Sequence, residues 1–133
     1  MLTICPTPIG NLHDVSERQR KALASADLIA CEDTRRAGKL LELLGIRRTQ
    51  GVPRLLSLHE HNEEQRVAQI VQAMGAGQKV VLTSDAGTPT ISDPGYRLVR
   101  TVVARGYDVE PIPGPNAAIV ALSGSGLPTD RFC

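Results

Sequence analysis

The residues with the clearest potential for chemistry lie between Ser84 and Gly95, where two carboxylates, two glycines, two prolines and four hydroxyl groups occur within twelve residues. The run Lys79–Thr83 before them is typical of a buried strand, and residues 96–105 after them are typical of a helix. Prolines and glycines fix the backbone, and small polar side chains leave it accessible. This composition suits a loop that holds a small molecule against main-chain atoms.

A simpler interpretation covers the second half of this loop. Asp93 can cap the following helix, and Pro94 can occupy its first helical position. This interpretation leaves the residues from Ser84 to Thr90 unexplained, so the first half of the loop is the stronger candidate for a binding role.

Strand and helix patterns alternate along the whole chain. The predicted strands are Leu2–Cys5, Asp27–Cys31, Arg54–Leu58, Val80–Leu82 and Asp108–Ile112. The predicted helices cover about residues 17–25, 34–44, 62–75, 96–104 and 114–122. Ser16 with Gln19 forms a capping-box pattern, and Thr34 and Asn62 are predicted caps of the second and third helices. The predicted fold is α/β, a five-stranded, mainly parallel sheet with helices on both faces.

In such a sheet, the loops that follow the strands share one edge. They are Thr7–Asn11, Glu32–Arg35, His59–Asn62, Ser84–Pro89 and Pro113–Asn116, and each is polar, charged or glycine-bearing. Ligands of open α/β sheets bind at this edge. Five such loops together predict a cleft there.

The Glu32–Arg35 loop places two acids and a base at a strand end. Glu32 and Asp33 could orient a ribose hydroxyl or accept a proton, and Arg35 could hold a phosphate. Acids also favour a helix N-terminus for electrostatic reasons alone, whereas an arginine there opposes the helix dipole. Both interpretations of the acids stay open.

The His59–Asn62 loop has alternating histidines that could share one metal ion, with Asp33 or Asp85 as a third ligand. The spacing matches no established motif, and we predict no metal site. His59 is instead a candidate proton acceptor in a substrate cleft, as is Asp85. The loop after the last strand, Pro113–Ala117, begins a helix whose backbone N–H groups suit a ligand carboxylate or hydroxyl.

The composition excludes several classes of protein. At 133 residues the chain is one domain by length, and its 41% hydrophobic and 22% charged residues are ordinary for a globular protein. No apolar run approaches the roughly 20 residues of a membrane span, and no signal peptide is recognisable. The cysteines form no pairing framework; Cys5 and Cys31, in apolar runs, are predicted to be buried thiols of a reducing cytosol.

Positive charge is concentrated in the first part of the chain. Residues 1–54 carry nine Lys or Arg and six Asp or Glu, whereas residues 55–133 carry six and eight. The basic clusters could contact phosphates or could simply be solvated helix faces. The chain has neither a GxGxxG nor a GxxxxGK[ST] sequence, which disfavours dinucleotide and P-loop sites. With three aromatic residues, it is unsuited to stacking many single-stranded bases.

Five segments together resemble one family. They are Thr7–Leu12, Cys31–Arg35, Ser57–Glu63, Ser84–Gly95, and Pro113–Pro115 followed by Ala121–Leu122 and Ser125–Pro128. In order and spacing they are similar to the bacterial family of ribosomal RNA small subunit methyltransferases I, within the tetrapyrrole methylase superfamily. The resemblance covers the whole chain.

The resemblance implies S-adenosylmethionine-dependent 2′-O-methylation of a cytidine ribose in the 16S rRNA of the small (30S) ribosomal subunit. It also implies a cytoplasmic homodimer of two-domain subunits, with the cofactor between the domains. Residues 1–133 would be the N-terminal domain, without the family's C-terminal domain, and would bind the cofactor weakly without methylating RNA.

The resemblance also implies where the cofactor binds. The positions that match the superfamily's cofactor site are Pro8, Ser84, Asp85, Ala86, Gly87, Ile91, Asn116 and Ala117. Asn116 stands where a hydroxyl residue is more usual. Two alternatives stay open: a methyltransferase of tetrapyrrole precursors, and a non-catalytic binding or dimerisation module.

Overall fold

Five short strands alternate with helices in the computed structural model, which describes residues 1–91 and 94–133. The strands are β1 (Leu2–Ile4), β2 (Leu28–Cys31), β3 (Arg54–Ser57), β4 (Val80–Leu82) and β5 (Val109–Pro111). The helices are α1 (Glu17–Ser25), α2 (Thr34–Leu43), α3 (Glu63–Gly75), α4 (Tyr96–Ala104) and α5 (Ala117–Gly124), with a 3₁₀ turn at Leu12–Asp14. All paired strands are parallel, in the order β3-β2-β4-β1-β5, so the predicted sheet is confirmed.

Alternation along the strands divides the core into two layers. In β4, Val80 and Leu82 face a cluster built with α3 and α4, whereas Val81 faces a second cluster built with α1 and α2. This is the period-two alternation of side chains along a strand. Because both faces are covered, β2 and β4 are apolar throughout, as buried parallel strands are, and β1 has a single polar residue, Thr3.

The helix starts confirm one predicted cap and correct two others. Ser16 and Gln19 form the predicted capping box. Asp33, not Thr34, caps α2: its carboxylate accepts a hydrogen bond from the Arg35 backbone N at 2.8 Å. Asn62 stands at the cap position of α3 but makes no side-chain cap, because its Oδ1 accepts from the His59 backbone N at 2.9 Å.

The start of α4 also differs from the prediction. The helix begins at Tyr96 with Gly95 as its N-cap, so Pro94 precedes the first helical position. Gly95 has φ +123°, and a Cβ there would lie 2.7 Å from Leu82 Cδ2. Only glycine suits this backbone and this close approach. The predicted cap Asp93 lies outside the described residues.

No helix within residues 1–91 and 94–133 combines the length and apolar character needed to cross a membrane.

Candidate functional site

The loops after β1 and β4 are joined by main-chain hydrogen bonds. Thr7 N donates to Gly87 O at 2.9 Å, and Gly87 N donates to Thr7 O at 3.1 Å. Two hydroxyls reinforce the turn: Thr7 Oγ1 donates to Ser84 O at 3.1 Å, and Ser84 Oγ donates to Gly87 O at 3.0 Å. Ser84 is buried, so its hydroxyl shapes the turn. The first half of the 84–95 loop is therefore held in a fixed conformation, and we call it the loop floor of the site.

The same floor extends to the loop after β5. Thr88 Oγ1 donates to Pro115 O at 3.0 Å. The neighbouring Asn116 caps α5, because its Oδ1 accepts from Ile119 N at 3.1 Å. Ala117 begins that helix and is exposed, as are Ala86 and Ile91 at the other end. The structure thus connects the loops that contain the cofactor candidates after β1, β4 and β5.

Asp85 connects the floor to the start of α2 on the opposite side. Its Oδ1 accepts from Asp33 N at 3.3 Å, and its Oδ2 accepts from Arg36 Nη1 at 3.0 Å. The side chain of Asp85 is 21% exposed and that of Arg36 is 63% exposed. No sequence signal pointed to Arg36 as the partner of Asp85, because the two residues are 49 positions apart.

Arg35 holds Asp33 in its ionised form. Its Nη2 donates to Asp33 Oδ2 at 2.8 Å and its Nε donates to Oδ1 at 3.2 Å. These side-chain hydrogen bonds, together with that from the Arg35 backbone, lower the pKa of Asp33 from 3.8 to about 2. A carboxylate with so low a pKa is a weak proton acceptor near neutral pH. The hydrogen bonds of Asp33 favour a structural role, in which it caps α2 and holds the Arg35 side chain in place.

His59 is engaged within its own loop. Because Asn62 Oδ1 accepts from the His59 backbone, the Asn62 amide nitrogen faces the ring and lies 2.9 Å from His59 Nε2. That amide donates to Nε2 when the ring nitrogen is unprotonated. Among the described residues, the buried Nδ1 has no hydrogen-bond partner. In this arrangement neither ring nitrogen of His59 is available to a substrate. The centroid of the His61 ring lies 6.0 Å from that of the His59 ring, and the two rings meet edge to face.

Glu32 is exposed and lies at a shallow recess shared with Ser84 and Pro94. This places one predicted catalytic acid next to the loop floor. Within residues 1–91 and 94–133, no three His, Cys, Asp or Glu side chains are grouped to hold a metal ion.

Glu63 is a structural residue of the site that sequence reasoning missed. This carboxylate is buried on α3, and its Oε1 accepts from Gly95 N at 3.2 Å and from Arg97 N at 3.3 Å. It therefore supplies the cap that α4 lacks from its own residues and anchors the end of the 84–95 loop. An acid in the first turn of α3 could have been noticed, but its partner 32 residues away could not.

An open cleft of about 330 Å³ lies on the α2 side of the floor. Thr7, Pro8, Ser84 and Asp85 form its base. Its walls come from the 3₁₀ turn, α1 and α2, with Arg36 and Lys39 among the lining residues. Its volume lies in the range of small-molecule pockets. A cleft with an apolar wall and a charged base is therefore present at this edge, but only two of the five predicted loops, those after β1 and β4, contribute to its lining.

Two sets of proteins resemble this chain. The ribosomal RNA small subunit methyltransferase I of Escherichia coli O157:H7 is 53% identical over 132 residues, covering 99% of this chain and 44% of that protein. The protein of the same name from Mesorhizobium japonicum is 50% identical, covering 98% and 43%. The chain therefore spans slightly less than half the length of these curated relatives.

The fold is shared with more distant solved structures. Diphthine synthase superimposes with a TM-score of 0.74 at 20% identity, covering 99% of this chain and 51% of that one. Uroporphyrin-III-C-methyltransferase from Thermus thermophilus gives a TM-score of 0.68 at 19% identity, covering 98% and 53%. The family model for tetrapyrrole (corrin/porphyrin) methylases matches residues 1–132. With the parallel sheet and the joined loops at its edge, this match establishes that the chain belongs to the tetrapyrrole methylase family.

Proposed function

We propose that this chain is the N-terminal part of an S-adenosylmethionine-dependent enzyme that methylates the 2′-oxygen of a cytidine ribose in small-subunit rRNA. The observation that carries the proposal is about 50% identity, over nearly the whole chain, to proteins named ribosomal RNA small subunit methyltransferase I. The proposed whole protein has a second domain, acts as a cytoplasmic homodimer and takes the small ribosomal subunit as substrate.

The loop floor suits the proposed cofactor. The exposed main chain of Ala86, the Pro8 ring and the N-terminus of α5 would offer polar main-chain groups and apolar contacts, whereas Gly87 is occupied by its two main-chain hydrogen bonds to Thr7. A helix N-terminus favours a ligand carboxylate, and carbonyl oxygens favour an ammonium group or adenine N–H. In our proposal Pro8, Ser84, Asp85, Ala86, Gly87, Ile91, Asn116 and Ala117 contribute to this surface.

When bound on this surface, the cofactor would supply an electrophilic methyl group to the ribose 2′-oxygen, and the hydroxyl proton would pass to a neighbouring acceptor. The carboxylates of Asp33 and Asp85 are already hydrogen-bonded, and the pKa of Asp33 is low. We infer that this chain contributes chiefly by positioning, which can supply several kcal/mol of a barrier. Glu32, Asp33, Arg35 and His59 are the proposed candidates for contact with the acceptor, and His59 would have to leave its pairing with Asn62 to make that contact.

The experiment uses protein expressed from the complete gene, small subunits that lack the modification, and S-adenosylmethionine with a labelled methyl group. We expect label on the 2′-oxygen of one cytidine, with fully modified subunits as the control. Label on a tetrapyrrole and none on RNA would favour the alternative methyltransferase. Intact folding without cofactor binding by calorimetry would favour a non-catalytic module.

Residues 1–133 alone test the division of the protein. We expect weak cofactor binding and no methylation of small subunits, because the proposed site is completed by a second domain. Robust methylation by the isolated chain would contradict this division while leaving the reaction itself intact.

A further inference from the structure

We propose that the cleft on the α2 side binds the acceptor nucleotide of the RNA, with its base against the leucines of α2 and a neighbouring phosphate at Lys39. This inference rests on the proposed function and adds which side of the loop floor the RNA enters from.

The loop edge of the sheet divides into two sides. The 84–88 segment runs from Asp85, which is bonded to α2, to Thr88, which is bonded to Pro115 before α5. Pro8, Ser84 and Asp85 line the α2-side cleft. In contrast, Ala86, Gly87, Asn116 and Ala117 do not line it among the described residues. The proposed cofactor surface and the cleft therefore meet at the Ser84–Asp85 end of the floor.

The geometry of methyl transfer makes that boundary significant. The acceptor oxygen must approach the methyl carbon from the side opposite the sulfur, at about 3 to 3.5 Å before reaction. In our proposal the cofactor lies toward α5 with its methyl group directed along the floor, and the acceptor then lies toward α2. Of the two described recesses that adjoin the floor at Ser84, the α2-side cleft is the one with room for a ligand.

The wall of the cleft matches one nucleotide in chemistry. Leu12, Leu40 and Leu43 give it an apolar lining, and Leu43 is 57% exposed despite its size. Single-stranded RNA is recognised through unstacked bases whose faces contact side chains, and an apolar wall suits such a face. This cleft accepts one base rather than a stacked run, which agrees with the scarcity of aromatic residues.

Cations lie beside the apolar wall. The side chains of Arg36 and Lys39 are each 63% exposed, but only Lys39 pairs with an exposed acid, since Glu42 is 71% exposed and Asp85 is 21% exposed. Exposed ion pairs contribute little, so Lys39 can exchange its partner for a phosphate at small cost. The combination of an apolar wall and neighbouring cations is what a nucleotide requires, whereas a purely apolar partner would leave the cations unused.

The test uses two substitutions in the protein expressed from the complete gene, assayed on unmodified small subunits. We expect Leu43→Asp to raise KM for subunits about tenfold, the factor that corresponds to losing the burial of one leucine. We expect Lys39→Gln to lower the slope of log KM against log salt concentration by about one, as the loss of one phosphate contact does. The cofactor Kd, measured by calorimetry, should stay within about twofold because its surface is not altered.

Matched controls lie on α4, across the sheet. Val103→Asp and Arg100→Gln change an exposed apolar residue and an exposed cation away from the cleft, and both should leave KM and its salt slope unchanged. Thermal unfolding within a few degrees of the unsubstituted protein establishes that Leu43→Asp folds. If Leu43→Asp does not fold, the slope of log KM against log salt concentration for Lys39→Gln tests the inference by itself.

Three results would overturn the inference while the unsubstituted protein remains active. These are an unchanged KM and slope in both variants, a weakened cofactor Kd with an unchanged KM, and a change of oligomeric state by light scattering that accounts for the activity loss. The last would make the cleft a subunit contact. No methylation by the unsubstituted protein would instead refute the proposed function, and this inference with it.

Discussion

The two helices that flank the candidate site differ in how the rest of the chain holds them. On one side, α2 buries Ala37 and Leu41 in the core and is tied to the loop floor through Asp85. On the other side, α5 has no buried residue, although its sequence Ala117–Gly124 is almost entirely apolar. An apolar helix that is exposed all round lacks the burial that normally stabilises one. The comparison suggests that the α2 side of the site is complete in this chain, whereas the α5 side needs a further surface.

The largest expected difference between the two sides is in core packing. Leu41 is 2% exposed and Ile119 is 50% exposed. We expect Leu41→Ala to lower the free energy of unfolding by about 2 to 5 kcal/mol, because it leaves a cavity under α2. Ile119→Ala should change it by no more than about 0.5 kcal/mol, as surface substitutions do. Urea unfolding of residues 1–133 measures both.

Equal losses of unfolding free energy in Leu41→Ala and Ile119→Ala would remove the contrast between α2 and α5, because they would mean that α5 packs against the core in solution. The same pair sharpens the comparison in protein expressed from the complete gene. If a second domain covers α5, Ile119→Ala becomes destabilising there while remaining neutral in residues 1–133.

The next effect concerns two glycines on the α5 side. A Cβ on Gly114 would lie 2.5 Å from Pro6 Cβ and 2.9 Å from Gln19 Nε2, whereas a Cβ on Gly124 would meet nothing within 4 Å. We expect Gly114→Ala to destabilise the chain by about 1 to 3 kcal/mol through overpacking against a rigid ring. Gly124→Ala should be neutral or stabilise by up to about 1 kcal/mol, because alanine favours a helix. The readout is the midpoint of urea unfolding.

The outcome at Gly114 tests where the ordered part of the α5 side ends. Tolerance of alanine at Gly114 would show that the loop before α5 is held as loosely as the helix itself. The expected contrast instead places the transition between Pro115, which is bonded to Thr88, and the exposed turns of α5.

A smaller effect is expected from the charges on the α2 side. Hydrogen bonds from Arg35 lower the pKa of Asp33 from 3.8 to about 2. The ionised form is therefore favoured by folding: the stabilisation is fully present above pH 3.8 and is lost as the pH falls to about 2. We expect Asp33→Asn to flatten the fall in unfolding free energy between pH 4 and pH 2. Asp130→Asn, at an exposed position after α5, is the control and should leave the slope unchanged.

The sequence was sufficient for the fold because its signals are local. Apolar runs of three to five residues, bounded by glycine and polar residues, indicated all five strands, and the Ser16–Gln19 capping box was confirmed. One error lies where a distant residue decides the local structure, since Glu63 on α3 supplies the cap at Gly95. The other two are local choices between neighbouring polar side chains: Asn62 bonds back to His59 instead of capping α3, and Asp33 caps α2 in place of Thr34.

Only part of the candidate site was predictable from the sequence. The sequence placed the five loops on one edge, and the strand ends brought them there. It could not show that Asp85 bonds to Arg36 and Asp33, because each partner lies on a different element. Nor could it show that the ring nitrogens of His59 are withdrawn within its own loop. Pairings between elements depend on side-chain direction, which hydrophobic periodicity does not encode.

The smallest expected effect on the contrast between the α2 side and the α5 side is in the reactivity of the three thiols. Burial raises the pKa of Cys5 to about 12, and burial with the nearby charges of Asp85 and Asp33 does the same for Cys31 beside α2. Cys133, beyond α5, is exposed. Because the thiolate is the reactive form, we expect a chromogenic disulfide reagent at pH 8 to modify one thiol quickly and the other two only as the chain unfolds. Cys133→Ser should remove the fast phase alone. A second fast thiol in that variant would mean that the α2 side opens readily, which would remove the contrast between the two sides.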